Sequence, residues 1–144
     1  MPIIGFNYNK INVERKKDQL KGDVKIKNDL VLQSLTSTEI DVSKKKQEVI
    51  KLSFEFTTEY QPNIGTITIN GHLLFLESPE NIKSILDLWK KERKLPQQFA
   101  TGLINIILTK SNIKALELSQ SVNLPPHIRL PIIIPKQDFK NYIG

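Results

Sequence analysis

The two histidines are the side chains of this sequence best suited to metal binding or proton transfer. His72 follows Gly71 in a segment with strand character, and His127 lies in a proline-rich stretch near the carboxyl terminus. Neither histidine has an acidic residue or a second histidine at the spacing that metal ligands use. We therefore predict no metal site, and we expect both to be surface or hydrogen-bonded side chains.

Motifs for acyl transfer and phosphate binding are also missing from the sequence. No serine stands in a GxSxG or SxxK pattern, and the six glycines form neither GxGxxG nor GxxxxGK. The acidic residues are scattered over polar positions, where they serve solubility rather than paired acid and base chemistry. The absence of cysteine removes disulfides and thiolate nucleophiles. We expect no enzymatic activity and no cofactor.

Composition places the chain among folded globular proteins. Its 144 residues suit a single domain spanning 1–144, and 39% of them are hydrophobic and 25% charged. The amino-terminal segment MPIIGFNYNK lacks the pattern of a signal peptide, and no apolar run approaches the ~20 residues of a membrane span. The expected location is the cytoplasm.

The net charge of +6 owes much to two basic runs, Arg15–Lys17 and Lys44–Lys46, which are predicted to lie in loops. Such runs can attract nucleic acid or anionic lipid, although most lysine-rich turns are only solvated. The aromatic residues Phe54, Phe56 and Tyr60 occupy the apolar positions of a predicted strand, where they serve the core rather than base stacking. Nucleic-acid binding therefore ranks third among the functions that the sequence suggests, after the two described below.

Alternation of apolar and polar residues predicts four β-strands in the first half of the chain. The clearest pattern is IKLSFEFTTEY at 50–60, and further strands are predicted at 6–15, 24–42 and 66–78. In the second strand the apolar residues through Leu32 share a parity that Ile40 and Val42 continue, so all should face one side. Short connections favour an antiparallel sheet, arranged as a meander or a Greek key.

Two helices are predicted after Ser78, where the periodicity changes. Ser78 is a helix cap followed by Pro79, and a stripe containing Ile82, Ile85, Leu86 and Trp89 continues to a stop at Leu95 and Pro96. A second helix over 99–120 carries aliphatic residues around more than one face, which predicts a contact with another subunit. An extended proline-rich tail, VNLPPHIRLPIIIP at 122–135, follows it. The fold class is therefore α+β.

This order of features resembles the SecB family of export and antifolding chaperones. The segment QPNIGTITINGHL is similar to the fourth strand of that family, Phe99 to Gln120 to its long helix, and NLPPHIRLPII to its tail. The resemblance implies a homotetramer built as a dimer of dimers, and a holdase that binds non-native polypeptide without ATP, with a link to protein export. Bacterial members are strongly acidic, whereas this chain is basic, so docking to an export ATPase is not implied.

An excess of apolar residues predicts where polypeptide would bind. Leu73 to Leu76 are consecutive, which makes the end of the fourth strand apolar on both faces. We expect a groove between the first helix and the sheet, lined by six residues: Ile40, Val42, Leu74, Leu76, Leu88 and Trp89. The alternatives are that these six residues only pack together, or that the chain is a structural or adaptor subunit whose apolar surface meets one folded partner.

Overall fold

The computed structural model describes residues 2–19 and 22–132, which form four strands and two helices. The elements are β1 (Ile3–Arg15), β2 (Lys25–Val42), β3 (Lys45–Gln61), β4 (Gly65–Phe75), α1 (Pro79–Glu92) and α2 (Gln97–Ser121). The strands make one antiparallel sheet in the order β1-β4-β3-β2. The predicted α+β class is confirmed. Of the two arrangements considered for the sheet, the Greek key is found, because β1 lies beside β4.

The strand boundaries differ from the predicted ones mainly around the second basic run. Ser43 and Lys44 have φ angles of 50° and 68°, so these two residues alone form the turn between β2 and β3. Lys45 and Lys46 lie in β3, opposite Val42 and Asp41. The prediction of a loop is therefore wrong for these two lysines, since a two-residue turn returns the chain to the sheet at once.

The core lies on one side of the sheet, which we call the inner face; the other side is the open face. Alternate residues of the two central strands supply the inner face, and all are at most 1% exposed: Ile50, Leu52, Phe54, Phe56, Tyr60, Ile67, Ile69, Leu73 and Phe75. The intervening residues are mostly polar and partly exposed. The period-two pattern predicted for 50–60 is confirmed.

Helix α1 begins and packs as its sequence predicts. The Ser78 side chain accepts a hydrogen bond from the Asn81 backbone N–H at 3.3 Å, and Pro79 occupies the first turn. The helix ends at Arg93, whose left-handed backbone directs its N–H to the Trp89 carbonyl. Ile82, Ile85 and Trp89 are buried in the core cluster, so α1 covers part of the inner face.

Helix α2 is held to the inner face by a row of residues four positions apart. Its buried members are Phe99, Leu103, Ile107, Ser111, Ala115 and Ser119. The helix also reaches the edge strand β1: the Tyr8 hydroxyl donates to the Lys110 carbonyl at 3.2 Å, and the Lys110 ammonium lies 5.3 Å from the Phe6 ring centre. α2 therefore connects the central strands to β1.

We expect Gly71→Ala to lower the free energy of unfolding by roughly 1–3 kcal/mol. A β-carbon at Gly71 would lie 2.5 Å from the Asn7 carbonyl oxygen and 2.8 Å from Cζ of Phe54, so backbone and core would both have to move. Gly102 in α2 is the matched control, because a β-carbon there meets nothing within 4 Å. Gly102→Ala should raise stability by about 0.5–1 kcal/mol through helix propensity. Urea denaturation measures both, and equal effects would contradict this account of the packing.

Candidate functional site

The structure divides the six predicted groove residues between the two sides of the sheet. Leu74 lies between the buried residues Leu73 and Phe75, so its side chain belongs to the open face. A β-carbon at Gly5 on β1 would contact the Leu74 side chain at 3.5 Å, which places both on that side. Leu76 follows β4 and donates its N–H to the Pro2 carbonyl. Both leucines are partly buried.

Ile40 and Val42 also belong to the open face, because a bulge changes the parity of β2. Leu32 pairs with Phe54, but the next partners are Ser34 with Ser53 and Leu35 with Leu52. One extra residue in β2 therefore transfers the even-numbered positions from the inner face to the open face. The prediction that Ile40 and Val42 continue the face of Leu32 is wrong for this reason.

Leu88 and Trp89 belong to α1, on the other side of the sheet. Trp89 is only 7% exposed and packs in the core cluster, with the Arg93 guanidinium 5.7 Å from its ring centre. Leu88 is partly buried. The six residues therefore do not line one groove between α1 and the sheet, and a polypeptide-binding role for them stays a prediction.

A short segment after α2 makes the contacts that sequence reasoning missed. We call residues 124–132 the strap; they contain neither helix nor strand. Leu124, 2% exposed, packs on the inner face, and its side-chain carbons would lie 3.1 and 3.3 Å from a β-carbon at Gly65. The tail was predicted to be extended; the strap has neither helix nor strand but bends at 127 and 128, and 133–135 lie outside the described residues.

Two strand side chains bind carbonyl groups of the strap. The Tyr60 hydroxyl donates to the Pro125 carbonyl at 2.6 Å, and the Asn28 side-chain amide donates to the His127 carbonyl at 3.3 Å. The Asn28 oxygen in turn accepts from the Thr58 hydroxyl at 2.7 Å, which fixes the orientation of the amide. Burial raises the pKa of Tyr60 to about 12, so its hydroxyl remains a donor at neutral pH.

His127 anchors the middle of the strap. The residue is 4% exposed, its Nε2 lies 2.8 Å from the Asn112 side-chain oxygen, and its ring meets Phe56 edge-on at 6.2 Å between centres. Its Nδ1 is buried and has no hydrogen-bond partner among the described residues. Burial lowers the imidazole pKa, because a charged ring would lose its hydration there. His127 is thus the hydrogen-bonded histidine that the sequence predicted.

The amino end of the strap is fixed by Arg15 at the end of β1. Its guanidinium donates to the carbonyls of Val122 and Asn123 at the end of α2, and also to those of Lys17 and Asp18. A cation at this place complements the negative end of the helix dipole. Arg15, predicted as part of a basic loop, therefore has a structural role.

The two basic runs do not form one surface. Arg15 lies opposite Gly65, and Gly65 pairs on its other side with Tyr60, near the end of β3. Lys45 is the first residue of that strand. At about 3.3 Å per residue the two runs lie roughly 50 Å apart. A nucleic-acid site made from both runs is not supported by this placement.

Apolar side chains remain exposed on α2 and on the strap. Ile113 on α2 is 65% exposed, and a shallow depression on that helix is lined by Asn105, Ile106, Thr109 and Lys110. In the strap Ile128, Leu130 and Ile132 alternate with other residues and become progressively more exposed, at 38%, 45% and 70%. These surfaces can bind other apolar groups.

Within residues 2–19 and 22–132, no three acidic or histidine side chains come close enough to hold a metal ion. In the same part of the chain, neither helix combines the length and apolar character needed to cross a membrane.

Comparison with known proteins yields a structural likeness only. No protein-family description matches the chain, and no curated protein matches its sequence. One similar solved structure is the SecB-like chaperone Rv1957 of Mycobacterium tuberculosis, in complex with a ChAD peptide from the HigA1 antitoxin Rv1956. The alignment covers 92% of this chain and 90% of that one, at 14% identity and a TM-score of 0.47.

Acid should destabilise the protein through His127. The pKa of the folded state is below the ordinary 6.5 of the unfolded chain, so the unfolded chain binds the proton more tightly. The contribution of His127 is complete above about pH 6.5 and is lost as the pH falls through the lowered pKa. We expect His127→Gln to reduce the fall in unfolding free energy between about pH 7.5 and about pH 5, measured by urea denaturation.

His72→Gln is the control for this measurement. Burial also lowers the pKa of His72, helped by the Lys51 charge, but this side chain lies on the open face and is bonded to Asn9 at 2.7 Å. These are the only two histidines of the chain. The control should retain most of the wild-type pH dependence, and an equal loss in both variants would refute the assignment to His127.

Proposed function

We propose that the protein is an ATP-independent holdase that binds non-native polypeptide. The observation that carries the proposal is the distribution of exposed apolar side chains. Among the described residues nine large hydrophobic side chains are at least 36% exposed: Ile4, Tyr8, Ile11, Val31, Val42, Ile113, Ile128, Leu130 and Ile132. They belong to β1, β2, α2 and the strap. Single exposed apolar side chains are common on folded proteins, but Ile128, Leu130 and Ile132 recur within five residues of the strap, and such a local group can contact an apolar client segment.

Part of the predicted groove retains a place in this proposal. Ile40, Val42, Leu74 and Leu76 all follow the parity of the open face, at the end of the sheet where β3 begins. Val49, on that same face, is fully buried although it lies outside the main core cluster. The exposed Val42 and the partly exposed Ile40, Leu74 and Leu76 are thus a second set of apolar side chains that an unfolded chain can contact.

We also propose that the chain forms a homo-oligomer, with a tetramer as the expected state. The exposed Ile113 and the depression around Ile106 give α2 an apolar side that the sheet does not cover. The number four and the proposed link to protein export both come from the resemblance of the sequence to the SecB family.

The holdase proposal predicts that the protein suppresses aggregation of several unrelated proteins without ATP. Thermally unfolding citrate synthase and chemically unfolded rhodanese are suitable clients, followed by light scattering. Suppression should depend weakly on salt, because apolar burial drives it, whereas phosphate binding by a basic protein would weaken steeply with salt. Protection of neither client, or of one alone, would contradict a holdase and favour the adaptor alternative.

The oligomer proposal predicts that Ile113→Asp reduces the assembly mass. Size-exclusion chromatography with light scattering should show a tetramer of the 16.5 kDa chain for the wild type and smaller species for the variant. Val31→Asp is the matched control, because Val31 is also an exposed aliphatic residue, at 51%, but lies on the open face of the edge strand β2. A wild-type monomer at micromolar concentration, or equal effects of the two substitutions, would refute the proposed interface.

A further inference from the structure

The strap lies on the sheet as a bound peptide would. It belongs to neither a strand nor a helix, and it contacts the inner face through Leu124 at Gly65 of β4 and through His127 at Phe56 of β3. We propose that the inner face around Asn28, Phe56 and Tyr60 is a binding site for irregular, proline-containing apolar polypeptide, and that the strap occupies this site until a client displaces it. This inference rests on the proposed holdase function.

The recognition is directed at main-chain carbonyls, which every polypeptide has. Tyr60 and Asn28 both donate, and the groups that accept are the carbonyls of Pro125 and His127, two residues apart. Neither bond uses a backbone N–H of the strap, so proline is tolerated at both Pro125 and Pro126. A client segment in the same conformation would offer carbonyls at the same spacing regardless of its side chains.

The floor of the site is apolar. Phe56 is 1% exposed and meets the His127 ring, and its neighbours across the β2–β3 pairing are the partly buried Leu30 and, further along, Ile26 opposite Tyr60. The donors are already oriented, since Thr58 fixes the Asn28 amide. Two donors that are already oriented over an apolar floor require little reorganisation when a client segment replaces the strap.

The strap is attached so that it can detach from its carboxyl end. Only its first residues are deeply buried, with Leu124 at 2% and His127 at 4% exposure, whereas Leu130 and Ile132 reach 45% and 70%. None of the described residues from 125 onward belongs to a strand of the sheet. Arg15 binds the carbonyls of Val122 and Asn123, so the hinge between α2 and the strap stays in place when the strap leaves.

Chemical labelling of the histidines tests displacement directly. The probe is reduced, carboxymethylated α-lactalbumin, which stays unfolded, and its binding is followed independently by fluorescence anisotropy of a labelled sample. Diethyl pyrocarbonate modifies accessible imidazoles, and we expect its rate at the buried His127 to increase several-fold when the client binds, while its rate at His72 on the opposite face stays unchanged. Binding of the client with an unchanged or slower rate at His127 would overturn this inference and leave the holdase proposal intact. Absence of binding would overturn both.

Substitutions separate the strap from the site beneath it. His127→Ala removes an anchor of the strap and leaves Asn28 and Tyr60 in place, so the strap should be detached in a larger fraction of the molecules. The client should therefore bind roughly three- to tenfold more tightly. His72→Ala, on the opposite face, is the matched control and should bind as the wild type does. Thermal unfolding verifies that both variants are folded.

Tyr60→Phe in the His127→Ala background then tests the carbonyl contact itself. In the His127→Ala variant the Tyr60 hydroxyl is available to a carbonyl of the client. Its removal should therefore reduce client affinity several-fold. Unchanged affinity in His127→Ala, or an undiminished affinity after the second substitution, would show that the strap is only a structural part of the core.

Discussion

Burial of one face of β3 is the constraint on which the other parts of the structure depend. From Ile50 to Tyr60 every second residue is almost fully buried, and β3 pairs with both β2 and β4, so this strand lies inside the sheet and beneath the helices. Each of its large side chains contributes about 1.5–3 kcal/mol by leaving water. α1 packs on β2 and β3, the strap meets Phe56 and Tyr60 of this row, and α2 packs on the neighbouring strand β4. Together they cover the inner face.

The covering is shared among elements of different character. α1 is a capped amphipathic helix whose stripe ends in Trp89, and α2 contributes a row of residues that changes from large to small side chains. The strap covers the remaining area. It does so with two buried side chains, Leu124 and His127, and with two carbonyl groups that accept hydrogen bonds from the sheet. A short irregular segment buries less apolar surface than a helix, so the strap is the part of the cover whose detachment would cost least.

Polar groups on the inner face determine which segment can cover the area that the strap occupies. Thr58 interrupts the apolar row of β3, and its hydroxyl orients Asn28 on the neighbouring strand. A buried polar group is costly unless it is bonded, and the strap supplies the acceptor for the buried Tyr60 hydroxyl. His127 completes the set through Asn112, with one ring nitrogen left without a partner among the described residues. The same groups that hold the strap therefore make its attachment sensitive to protonation and to competition by other carbonyls.

The sequence by itself determined the strands, the helices and the class of the fold. Their period-two and helical patterns depend only on residues close together in the chain, such as those around Phe54 and Ile85. The cap at Ser78 was equally readable, since it depends on neighbouring residues only. The bulge after Leu32 was not, because its one trace in the sequence is Leu35, a single apolar residue at an odd position, and the bulge moved Ile40 and Val42 to the other face. The meeting of Asn28, Tyr60 and His127 joins three distant parts of the chain, and only packing of the strap on the sheet brings them together.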